Sequence, residues 1–129
     1  MEGGGDSLKQ SFDPNLPIYT QIVDRFKQLI FSGAMSPGEK VPAVRELALE
    51  LGVNPNTLQR AMSELEREGL LYTERTAGRF VTDDNALIIA LREELIATVV
   101  REFLAEMKAL GCSSAEAELL IKRHGGEMK

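Results

Sequence analysis

Two helical runs joined by a two-residue turn, then a short hairpin, occupy residues 43–82, and that spacing constrains the fold more than anything else in the chain. Val44, Leu47, Ala48 and Leu51 recur at intervals of three and four, as on one helix face, and Gly52 ends the run. A second helix opens at once. Asn54 can cap it, and Pro55 suits its first position, where the missing N–H has no intrahelical partner anyway. Leu58, Ala61, Met62 and Leu65 form its inward face, and Gly69 predicts a left-handed stop. Leu70 to Glu74 and Arg79 to Thr82 then read as short strands around Thr76, Ala77 and Gly78.

This is the layout of a winged helix-turn-helix, in which the second helix of the pair can enter a DNA groove. The rest of the chain divides around it. Residues 1–13 are Gly-rich and polar at the start and read as a flexible N-terminal arm. A helix beginning near Pro17 carries Ile18, Ile22, Phe26, Leu29 and Ile30 at helical spacing and stops at Gly33; Ser36, Pro37 and Gly38 make a turn. Residues 14–82 thus form one winged-helix domain with an aliphatic core, since the chain has no Trp and few aromatics.

Residues 83–129 differ in character. Asp83 or Asp84 can cap a long helix running to about Leu110, and Gly111 ends it. Leu87, Leu91, Leu95, Val99, Phe103 and Met107, joined by Ile88 and Leu110, form one stripe, which Ile89, Ile96, Val100 and Leu104 widen. Ser113 and Glu116 have capping-box spacing and open a last helix ending near Gly125. Two helices cannot bury so broad an apolar face alone. A second copy is the economical cover, giving a two-fold dimerisation region, with packing on the chain's own winged helix as the alternative. The predicted fold is therefore mainly α with a small β-wing, followed by a two-helix C-terminal dimerisation tail.

Composition removes other function classes. No apolar run can span a bilayer and no secretory signal opens the chain, so no membrane partner is expected. The single Cys112 cannot make an internal disulfide, which fits a reducing cytoplasm. No nucleophile–base pairing, phosphate loop or metal cluster is present, and His124 stands alone, so neither an enzyme nor a cofactor is expected. Net charge is −5, with eight bases against nine acids in residues 12–82 and six against nine in residues 83–129. Charge alone does not point to DNA. A DNA-binding role needs the bases gathered on one face, since phosphate contacts supply much of the affinity, and Arg45, Arg60, Arg75 and Arg79 are the candidates.

The turn opening the second helix of the pair reads Asn54, Pro55, Asn56, Thr57, with Gln59 one step on. Asn and Gln can pair bidentately with adenine, and the Thr methyl can touch that of thymine. The strings Pro37-Gly38, Val41-Pro42-Ala43-Val44-Arg45-Glu46-Leu47-Ala48, Gly52-Val53-Asn54-Pro55-Asn56-Thr57, Glu66-Arg67-Glu68-Gly69-Leu70 and Gly78-Arg79-Phe80-Val81 resemble the GntR family of bacterial transcriptional regulators over residues 14–82. The Asn-Pro-Asn-Thr start and the short two-helix tail resemble its YtrA subfamily. The resemblance implies a homodimer on an inverted-repeat double-stranded DNA operator, usually repressing. It implies that Arg45 contacts phosphate or a base and that Asn54, Asn56, Thr57 and Gln59 sit in the major groove. It further implies that Gly78 lets the wing tip approach the minor groove, with Arg75 and Arg79 beside it. Many members carry Arg where this chain has Pro55 and Gln59, and Ser where it has Ala43, so their base preference does not transfer. Two alternatives stay open from sequence: a winged-helix protein-interaction module in a larger assembly, and a sensor with an apolar small-molecule effector pocket between the tail helices.

Overall fold

The computed structural model describes Leu8 and residues 11–126. Of the arm over residues 1–13, only Leu8 and residues 11–13 fall among the described residues. They lie against the first helix: Leu8 is buried, Arg25 donates to the carbonyls of Leu8 at 3.2 Å and Ser11 at 2.6 Å, and its guanidinium covers the Phe12 ring at 4.0 Å.

Helix α1 (Ile18–Ser32) starts directly after Pro17 and ends at Gly33. Strand β1 (Lys40–Val41) follows, then α2 (Val44–Leu51), α3 (Pro55–Arg67), β2 (Leu71–Glu74) and β3 (Gly78–Val81). Helices α4 (Asn85–Ala109) and α5 (Ser114–Gly125) complete the chain. The fold is mostly helical with one small antiparallel sheet, as the periodicities predict. The strand order is β1-β3-β2, so the wing's second strand is central. Val81 pairs with Leu71 and Gly78 with Glu74 across the hairpin, and Lys40 lies opposite Phe80 on the other side. The sequence pattern does not predict β1. Two residues carry no measurable alternation, and the strand exists because the Ser36–Glu39 turn delivers it to an open edge of β3. Gly38 N–H reaches Val81 O at 2.9 Å and Val81 N–H reaches Glu39 O at 2.8 Å.

The core of the first unit is aliphatic, as composition implies. Ile22 and Phe26 of α1, Leu58, Met62 and Leu65 of α3, and Leu70, Leu71 and Val81 around the sheet are all fully buried. α3 is the hub, packed against α1, α2 and β2. Burying side chains of this size is worth about 1.5–3 kcal/mol each relative to exposure, so α3 is held by its apolar side, leaving the opposite side free.

Two glycines set the geometry of α3. Gly52, at φ +69°, reverses the chain after α2, and Val53 N–H closes on Ala48 O at 3.0 Å. Gly69, at φ +85°, does the same after α3, with Leu70 N–H on Leu65 O at 3.0 Å. These are Schellman closures, which need a left-handed residue. At Gly69 an added Cβ would also lie 2.9 Å from Leu87 Cδ2. Gly69→Ala is therefore expected to lower stability by about 1–2 kcal/mol from the left-handed backbone alone, read as a lower urea midpoint. An unchanged midpoint would mean that α3 does not need this stop.

The chain divides into two compact units, one up to Ala90 and one from Leu91. Asp84 caps α4, accepting from Leu87 N–H at 3.1 Å. Leu87, counted with the tail stripe, packs at Gly69 in the first unit, and Ile88 beside it is buried. In the second unit, α4 ends at Gly111, and Ser113 Oγ caps α5 by accepting from Glu116 N–H at 3.1 Å. Ala117 is buried there, while Leu95, Val99 and Phe103 remain exposed. Burial pushes the Cys112 thiol above its ordinary pKa, and the nearby Glu116 carboxylate adds to this, so the group stays a poorly reactive thiol.

Candidate nucleic-acid interface

The exposed side of α3 follows from its apolar side. With Leu58, Ala61, Met62 and Leu65 turned inward, the helical repeat leaves Asn56, Gln59, Arg60 and Ser63 facing out, and all four are exposed. Asn54 caps this helix: its Oδ1 accepts from Asn56 N–H at 2.7 Å, with Pro55 in the first turn. Asn54 is thus engaged in holding the helix start, whereas Asn56 presents a free amide. Thr57 is half-buried at the flank. Gln59 Nε2 donates to Ser63 Oγ at 3.2 Å, which lays its amide along the helix. Ser63 is not among the residues the motif singles out, although its position one turn after Gln59 marks it as sharing that face.

Electrostatics separates the bases into two groups. Lys27 pairs with Glu68 at 2.9 Å, Arg79 with Glu66 at 3.2 Å, and Arg67 with Glu64. The Arg67 hydrogen bond holds the Glu64 carboxyl below its ordinary pKa. Lys40, Arg45, Arg60 and Arg75, by contrast, have no carboxylate partner among the described residues. Formal charge over residues 12–82 is near neutral, yet the ion pairs consume the bases that brace the fold and leave these four available. Lys40 lies on β1, Arg45 on α2, Arg60 on α3 and Arg75 at the wing tip.

The wing meets β1 and the segment leading into α2 across an open cleft lined by Lys40, Pro42, Ala43, Arg75, Gly78 and Arg79, among others. The cleft brings Arg75, Gly78 and Arg79 together and adds Lys40, which sequence spacing gives no reason to join with them. Ala43 precedes α2 without a side-chain cap, so the first N–H groups of α2 lack a side-chain acceptor at this cleft. The tip turn is closed by Ala77 N–H on Glu74 O at 3.1 Å. Arg79 is turned away from the tip: its Nε donates to Glu66, which also accepts from the Thr73 hydroxyl. Glu66 therefore ties both wing strands to the last turns of α3. A second cleft is lined by Pro17, Ile18 and Tyr19 of the α1 start with Thr57 and Arg60. An outward polar helix face flanked by unpaired cations suits base edges with phosphates on either side.

The fold and its motifs recur in known proteins. Residues 18–81 match the family model of bacterial regulatory proteins, gntR family. The chain is 37% identical over 109 residues to the uncharacterised HTH-type transcriptional regulator YhcF of Bacillus subtilis (strain 168), covering 84% of this chain and 90% of that protein. It is 32% identical over 114 residues to the HTH-type transcriptional repressor YtrA of the same organism, covering 88% of each. Among solved structures, a GntR family transcriptional regulator from Listeria monocytogenes superimposes with a TM-score of 0.82 at 38% identity, over 87% of this chain and 98% of that one. With its motifs, its winged helix and relatives matched over nearly their whole length, this chain belongs to the GntR family of bacterial regulatory proteins.

Proposed function

We propose that the protein is a homodimeric transcriptional repressor that binds an inverted-repeat DNA operator. The observation that carries this reading is the exposed polar side of α3 together with four exposed cations, Lys40, Arg45, Arg60 and Arg75, that have no carboxylate partner among the described residues. In it, Asn56, Thr57 and Gln59 meet base edges in the major groove, and Asn54 and Pro55 set the helix start. Arg45 and Arg60 meet phosphates, while Arg75, Gly78 and Lys40 approach the adjoining backbone or minor groove. The exposed apolar side chains of α4, centred on Leu95, Val99 and Phe103 with Leu91 and Met107 half-buried beside them, support the second copy. Two recognition helices on a two-fold axis would then occupy half-sites about 34 Å apart and block promoter access. The similarity to a protein named as a repressor supports that sign of regulation. No helix of the described residues is long and apolar enough to cross a membrane; in the proposed reading the protein meets its operator in the cytoplasm.

Selection of bound duplexes from a random DNA pool at physiological salt tests this reading, and enrichment of an inverted repeat is the expected result. Binding that stays independent of sequence would overturn it. On the selected operator, Asn56→Ala is expected to cost about 1–3 kcal/mol at one base position. An equal loss on every sequence would assign Asn56 to the backbone instead.

A further inference from the structure

We propose that Tyr19 is a positioning residue for DNA binding: its ring holds the Arg60 guanidinium flat at the α1 flank of the recognition helix, aimed at an operator phosphate. The proposal rests on the DNA-binding reading above and adds a residue outside the helix-turn-helix to it. The Arg60 guanidinium carbon sits 3.7 Å from the Tyr19 ring centroid, well inside the range of cation–π attraction. The two residues are far apart in the sequence, and the packing of α1 on α3 brings them together. They line one open cleft with Pro17, Ile18 and Thr57.

The ring meets the guanidinium through a cation–π contact, which uses none of its N–H groups for a protein oxygen. Arg60 has no ion pair and donates no side-chain hydrogen bond among the described residues. A planar fork with free edges matches two oxygens of a phosphate. An unsupported Arg on an exposed helix face samples many rotamers, and binding must freeze them. The ring removes much of that freedom before DNA arrives. Arg60 also lines the cleft shared with the start of α1, at the side of the exposed face nearest that helix, which suits a contact to the backbone.

The test uses the full chain and the selected operator duplex, with Kd read by fluorescence anisotropy over a salt series. Arg60→Ala and Tyr19→Leu are each expected to weaken binding roughly 3- to 10-fold, uniformly across single-base operator variants. The double variant should be no weaker than Arg60→Ala alone. Tyr19→Phe, which keeps the ring, should stay within about 2-fold of the parent. The salt slope should fall by about 0.9 in Arg60→Ala, the value of one phosphate contact. A Tyr19→Leu loss that persists in the Arg60→Ala background would reduce Tyr19 to packing and overturn the proposal, as would wild-type binding by Tyr19→Leu. Loss confined to one operator base would overturn the phosphate assignment. Should Tyr19→Leu fail to fold, Arg60→Lys decides. It keeps the charge without the planar stack, and undiminished affinity would overturn the proposal. An operator bound by the parent with no Tyr19–Arg60 coupling defeats this proposal alone, whereas a parent with no operator defeats the DNA-binding reading as well.

Discussion

Val99→Glu is expected to leave the protein monomeric at concentrations where the parent is a dimer, and to weaken operator binding by about 100-fold or more. Val99 sits midway along α4 with 56% of its surface exposed, between Leu95 and Phe103 at 39% each. Apolar side chains in such a row gain about 25 cal/mol for each Å² they hide, which is the driving force for the proposed pairing. In a two-fold interface each substitution appears twice. A carboxylate there either loses its hydration inside the interface, at several kcal/mol per ion, or keeps the surfaces apart. Without a partner, one recognition helix binds alone, and the gain from tethering two half-sites, about 10²–10⁴-fold, disappears. Analytical ultracentrifugation gives the mass and anisotropy gives the Kd. A dimer that survives Val99→Glu with its affinity intact would show that this face is not the interface. The exposed site makes the substitution mild for the fold itself, so a circular dichroism spectrum like the parent's should accompany the loss.

Phe26→Ala carries the second large effect, on stability. Phe26 is the largest fully buried side chain, on the helix that packs against α3. Its truncation is expected to cost about 3–5 kcal/mol, combining lost burial with the cavity left behind. Domains of this kind are stable by only about 5–15 kcal/mol in total. Urea unfolding followed by circular dichroism should show a much lower midpoint, or a chain largely unfolded before denaturant is added. A cost below about 1 kcal/mol would mean that α1 and α3 collapse around the gap, and that α1 is not the platform on which the recognition helix rests.

The helices are legible in the chain because what makes and stops them is local. Asn54 caps a helix whose second residue is two positions away, and Gly52, Gly69 and Gly111 end helices through bonds to carbonyls within five residues. Apolar spacing locates the buried face of α3 for the same reason, and the outward face follows by subtraction. The hairpin is legible from its turn. β1 is not, because a two-residue strand is defined only by the partner it meets.

Charge is the least legible property. Composition puts the winged helix near neutrality, and nothing in the order of residues says which bases are free. Folding decides that by pairing Lys27 with Glu68 and Arg79 with Glu66, partners far apart in sequence or on different elements. Arg79 and Arg75 look equivalent in the chain, yet one is bound to Glu66 in the last turns of α3 and the other stands at the wing tip. Tyr19 is one more residue of a leading helix until α1 packs beside Arg60. By itself the sequence determined the helices and the wing hairpin, where they end, and the inward side of α3, because these depend on neighbours within about one helical turn. Only the tertiary structure decided which cations are left unpaired and which ring lies under which guanidinium, because these depend on contacts between segments that the chain keeps apart.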